Sequence, residues 1–168
     1  MRIALVVLSI FAALWAWAAI RFSGGAAGLV VIPIAISLAL LALGWRGSGL
    51  VPSRGPHVGK VVGLWTGIEV AALIVTANVL EHSHRADLMM PLGAIIVGLH
   101  FFPLARGIPV RSYHATGAGL VAAGLIGLLL PAGERPLVVG LSAAMVLWGT
   151  ALLFVLASRK AAEAPSVA

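Results

Sequence analysis

Two residues in this chain are of types that could do chemistry within strongly apolar surroundings. Glu69 sits near the middle of the hydrophobic run Val61–Leu80, and His100 lies in the segment Gly98-Leu99-His100-Phe101-Phe102-Pro103-Leu104-Ala105 that ends the next run. An acidic side chain at the centre of a membrane helix costs roughly 2.5–3.5 kcal/mol on insertion scales, so Glu69 is expected to face protein or water rather than lipid. There it could exchange a proton, with His100 as a relay or ligand. On a helix, Trp65 and Thr76 share the face of Glu69, at minus four and plus seven. Pro103 has no N–H, which leaves the carbonyl of Leu99 without its helical partner and places a spare acceptor beside the imidazole. The rival reading is purely architectural: Glu69 bonded to a neighbouring helix to fix packing, and His100 bonded to the Leu99 carbonyl or to another helix.

The other polar groups carry less. Glu81-His82-Ser83-His84-Arg85-Ala86-Asp87 is the densest polar cluster, and His82, His84 and Asp87 have donors for a divalent metal. Their spacing fits no ligand motif, and a loop of this kind ordinarily solvates helix ends, so no metal is assigned. His57 and His114 lie at the ends of apolar runs and read as interfacial. A haem held by two histidines would need His100 and His114 at matching depth, and His114 is at a helix end; no cofactor is assigned. Asn78 is nine residues from Glu69, about half a turn round at 100° per residue, and is expected to hydrogen-bond another helix. Ala115, Gly119, Ala123 and Gly127 form a four-residue stripe of small side chains, which lets a second helix approach closely. An intramolecular partner is favoured over a second copy. The string Gly117-Ala118-Gly119 only superficially resembles a dinucleotide loop, since no strand precedes it.

Composition sets the class. The 168 residues are 61% hydrophobic and only 10% charged, with mean hydropathy +1.12, against about 25% charged in a soluble domain. With no cysteine, disulfides, thiolate metal sites and cysteine nucleophiles are excluded. The net charge of +6 does not point to nucleic acid, because the basic residues flank the apolar runs. Serine-hydrolase, zincin and phosphate-loop motifs do not occur.

The elements that must position Glu69 and His100 follow. Six apolar runs span Ile3–Ile20, Gly28–Trp45, Val61–Leu80, Leu88–Ala105, Ala115–Leu130 and Leu137–Ala157. Each approaches the ~20 residues a helix needs to cross ~30 Å of hydrocarbon. No alternation of period two suggests a barrel, so helices are the spanning structure. The termini and the second and fourth loops carry eight Lys or Arg, and the other three loops carry three. The positive-inside rule then puts both termini in the cytoplasm. On this reading Glu69 lies ~12 Å into the third helix and His100 ~6 Å from the cytoplasmic end of the fourth. The first run has a rival reading as a signal peptide, with Arg2 as basic flank and Ala16-Trp17-Ala18 as cleavage site; its length and the following Arg21 speak against it. Pro131 closes the fifth helix and Pro136 suits the first turn of the sixth. Trp15, Trp17 and Trp45 read as interfacial anchors.

The residues Ile68-Glu69, Asn78, Val97 through Ala105, Tyr113 and Thr116-Gly117 together resemble a family of small bacterial integral membrane proteins, with Gly-Leu-His-Phe-Phe-Pro-Leu-Ala the most specific part. The resemblance covers helices three to five. It implies a bacterial inner-membrane protein and carries no activity, cofactor or partner.

The expected fold is an all-α integral membrane protein: one bundle of six transmembrane helices over residues 1–160, both termini cytoplasmic, with a disordered tail at 161–168. Its partners are the lipid bilayer and, as an open alternative, a second copy or another membrane protein. The leading function is transport or permeation of a small solute or proton through a polar site between helices three and four. The alternatives are a membrane enzyme or redox subunit using His100 and Glu69, or a structural bundle with no small-molecule site.

Overall fold

Long apolar segments punctuated by glycine and proline fold into six helices in this computed structural model, which describes residues 2–45, 56–108 and 110–163. These are α1 (Arg2–Phe22), α2 (Val31–Trp45), α3 (Pro56–His82), α4 (Met89–Gly107), α5 (Ser112–Leu129) and α6 (Arg135–Glu163). Single 3-10 turns at Ala27–Val30 and Ala86–Leu88 lead into α2 and α4. Among the described residues there is no strand, and six helical segments are long and apolar enough to cross a membrane. Several runs underestimate their helices, since backbone hydrogen bonding continues past the last hydrophobic side chain into flanking polar residues: α3 begins at Pro56 and α6 reaches Glu163. The second run overestimates its α-helix, because Gly28 falls in the 3-10 turn Ala27–Val30 and α2 begins at Val31. Most of the long connection between α2 and α3, the side chain of His57 and residues 164–168 of the tail lie outside the described residues and side chains.

Proline and glycine act where their chemistry directs. Pro136 is the second residue of α6, where a missing N–H costs nothing, and Pro131 follows the end of α5 at Leu129. α3 ends differently. His84 adopts φ 54°, and the N–H of Arg85 reaches back to the carbonyl of Leu80 at 2.9 Å, the left-handed helix stop usually given to glycine.

α6 is central, packed on α1, α5, α2 and α4; α4 lies on α5; and α3 is attached through α4. No residue in the most hydrophobic window of α3 is buried, against half of the corresponding window in α6. The tightest crossing is between α4 and α5. A Cβ on Gly98 would lie 2.8 Å from the carbonyl oxygen of Gly117, and one on Gly117 would lie 2.7 Å from that of Gly98. Only glycine at both positions permits that approach. Buried polar groups add directional ties: Thr116 and Thr150 share a hydrogen bond of 2.7 Å between α5 and α6, and Trp148 donates to Ser37, which donates to the Ser9 carbonyl.

Candidate functional site

The third and fourth helices meet where their only titratable residues within the apolar runs lie side by side. The Nδ1 of His100 is 3.1 Å from the backbone carbonyl of Trp65 and 3.6 Å from Oε2 of Glu69. A carbonyl can only accept, so Nδ1 carries the hydrogen and Nε2 is left as the acceptor of a neutral ring. The acceptor is supplied by α3: Trp65 is one turn before Glu69, so its carbonyl and the Glu69 side chain emerge on the same face. The carboxyl contact is longer than an ordinary hydrogen bond, as fits an Nδ1 whose hydrogen is directed at the Trp65 carbonyl. Both groups are nearly withdrawn from the surface, their side chains 12% and 9% exposed.

The pair lines a cleft of about 210 Å³. Its walls are α1, through Ile3, Val7 and Phe11, and α3, through Val62, Thr66 and Glu69; its floor is α4, around His100, Phe101 and Leu104. Edge-to-face ring contacts set the floor: Phe101 stacks on His100 at 5.9 Å and on Tyr113 at 5.3 Å, which in turn meets Phe154 at 5.8 Å. Apart from Glu69, His100, Thr66 and Tyr113, the lining is hydrocarbon or aromatic, and it includes no Lys or Arg among the described residues.

Several expected placements differ in detail. His100 bonds to Trp65 of the neighbouring helix rather than to the carbonyl of Leu99, whose residue faces outward at 54% exposure. Trp65 contributes its carbonyl. Thr76 does not line the cleft; eleven residues separate it from Trp65 along α3, and the hydroxyl that does is Thr66. The spacing of three between Thr66 and Glu69 could have shown this. Nothing in the sequence could have nominated Ile3, Val7 and Phe11, because their place opposite α3 is set by the packing of α1 on α6. Asn78 does not tie α3 to another helix: its Nδ2 donates to the Ile74 carbonyl of its own helix at 2.8 Å, on an exposed face. α3 lies at the edge of the bundle, and among the described residues no other helix bonds to Asn78.

The small-residue stripe of α5 is divided. Gly119 faces Val146 of α6, Gly127 sits between Val139 of α6 and Pro91 of α4, Ala123 is buried, and Ala115 is exposed. The closer contact with α4 uses the adjacent face, through Gly117 and Gly124. The polar cluster at the far end has structural partners. Arg135 pairs with Asp87 and donates to the Leu130 carbonyl at 3.0 Å, Arg85 approaches Asp87 at 3.5 Å, and His82 donates to the Asn78 carbonyl at 2.7 Å. Among the described residues no three His, Asp or Glu gather to hold a metal. His114 is exposed beside Phe102 at 6.0 Å and does not face His100. Compared with known proteins, the chain matches no family model, no curated protein and no solved structure.

Proposed function

We propose that the six helices cross the inner membrane of a bacterium with both termini cytoplasmic, and that Glu69 and His100 form a proton-exchanging site for the movement of a small solute or proton. The membrane setting rests on six apolar helices of spanning length, and the orientation rests on eight Lys or Arg at one end against three at the other. The observation that carries the functional reading is the 3.6 Å approach of a carboxyl to an imidazole, both nearly buried in an apolar cleft. One proton can sit on either partner with the pair neutral overall, so its transfer between them leaves no isolated charge in the cleft, whereas uptake or loss of a proton changes the charge of the pair by one. The cleft, at about 210 Å³, is smaller than the ~300–1,000 Å³ typical of pockets that enclose a whole organic substrate, which favours a proton or small solute over an enzymatic substrate.

Proteoliposomes loaded with a pH-sensitive dye test this reading. After an imposed pH step, the full chain should dissipate the gradient faster than protein-free vesicles, and Glu69→Gln should return the rate to the protein-free value. Equal rates for the wild type and Glu69→Gln would remove Glu69 from the role.

A further inference from the structure

The cleft is shaped for more than a proton. Its two walls, α1 and α3, are not a packed pair in this bundle; α1 rests on α6 and α2, and α3 on α4. The cleft occupies the gap between them. The residues that edge it from α1 are hydrocarbon and outward-facing: Ile3 is 64% exposed, Val7 46% and Phe11 45%. A ligand that arrived from water would need a polar entrance. A ligand that arrived sideways along hydrocarbon would meet these apolar side chains before the Glu69–His100 pair.

Building on the proposed site, we infer that this cleft binds a membrane-borne amphiphile with an uncharged hydroxyl head and a single hydrocarbon tail, the head at Glu69 and His100 and the tail leaving between α1 and α3. Size supports the division. At ~30 Å³ per water-sized group, 210 Å³ holds a head and a few methylenes but not a whole lipid, so the rest of the chain must lie outside. Charge selects the head. The pair is neutral overall in either proton arrangement, and no Lys or Arg lines the cleft among the described residues to receive a phosphate or sulfate. Placing an unmatched ion in such a lining is costly. Hydrogen bonding narrows it further. The Nδ1 hydrogen is committed to the Trp65 carbonyl, and Nε2 makes no hydrogen bond among the described residues, so it accepts from an incoming O–H, while a protonated Glu69 donates to the same oxygen. A hydroxyl satisfies both; an alkane satisfies neither.

The test uses the full chain in lipid nanodiscs and a hexadecanol carrying a diazirine a few carbons from the hydroxyl, with adducts mapped by peptide mass spectrometry. Labelling is expected on α1 around Ile3–Phe11 and on α3 around Val62–Glu69. Unlabelled hexadecanol should compete roughly ten-fold better than hexadecane, about what one or two buried hydrogen bonds contribute. His100→Phe should abolish that preference while leaving labelling by the tail. Val7→Trp, which fills the cleft from its rim, should block labelling in a protein that still elutes as a single species, and it keeps the test informative should His100→Phe not fold. Equal competition by hexadecane would show an unselective lipid-filled groove, stronger competition by hexadecylamine would show a cation site, and labelling elsewhere would show a different entry; each overturns the inference. Loss of proton flux in Glu69→Gln without head-selective labelling would leave the proton site standing and remove the lipid ligand. Head-selective labelling with unaltered flux would do the reverse.

Discussion

A single hydrogen bond decides what His100 is. Because its Nδ1 is bound to a carbonyl of α3, the imidazole is oriented by the backbone of a neighbouring helix and its Nε2 is left as the acceptor. Trp65→Leu should therefore leave the arrangement intact, as the acceptor belongs to the peptide unit; in ¹⁵N NMR of the imidazole the protonated nitrogen should remain Nδ1. Glu69 and His100 should also be energetically coupled. Removing either with Leu strands a partly buried polar partner, at about 1–3 kcal/mol, whereas removing both strands neither. A double-mutant cycle followed by detergent-denaturant unfolding should give a coupling of about 0.5–3 kcal/mol. Additivity within ~0.5 kcal/mol would mean that the two residues are merely neighbours. The types Glu and His inside apolar runs were readable from the sequence. The identity of the acceptor was not: a carbonyl is present at every residue, and only the relative rotation of α3 and α4 selects that of Trp65 over that of Leu99.

At the scale of helices, the same residue type has opposite consequences at two positions. Gly98 and Gly117 hold α4 and α5 at a distance where an added Cβ would strike the backbone of the other helix. Gly98→Ala should destabilise the protein by about 1–3 kcal/mol, the usual cost of overpacking a site that cannot give. A Cβ on Gly63, in α3, would meet nothing within 4 Å among the described residues, so Gly63→Ala should be neutral or stabilising by up to ~1 kcal/mol, because alanine is the better helix former. Thermal unfolding in detergent compares the two directly; equal effects would contradict the packing. Helix existence was legible because each apolar run nearly matches the length of a spanning helix. Helix ends were less so, since hydrophobicity stops before the hydrogen-bond ladder does. The α5 stripe was legible as a close-packing device, but small residues occur on two of its faces, and sequence spacing alone cannot say which neighbour takes which face. Here α6 takes that of Gly119, α4 takes that of Gly117 and Gly124, and Gly127 lies against both.

For the whole molecule, the proposed orientation puts the turn between α3 and α4 outside the cell. Ser83→Cys, at an exposed position in a chain with no native cysteine, should react with a membrane-impermeant maleimide added to intact spheroplasts; reaction only after lysis would invert the topology. The class of molecule, the number of helices and the charge asymmetry between their ends follow from the sequence alone, because hydrophobic length and loop charge are local, additive properties of the chain. The site does not. Glu69 and His100 are separated by thirty residues, and the α1 wall opposite them comes from the far N-terminal end. Their meeting depends on α1 packing against α6 and α3 against α4, with a gap left between α1 and α3. That gap is a consequence of side-chain volumes and glycine contacts between helices distant in sequence. Only the tertiary structure decides it.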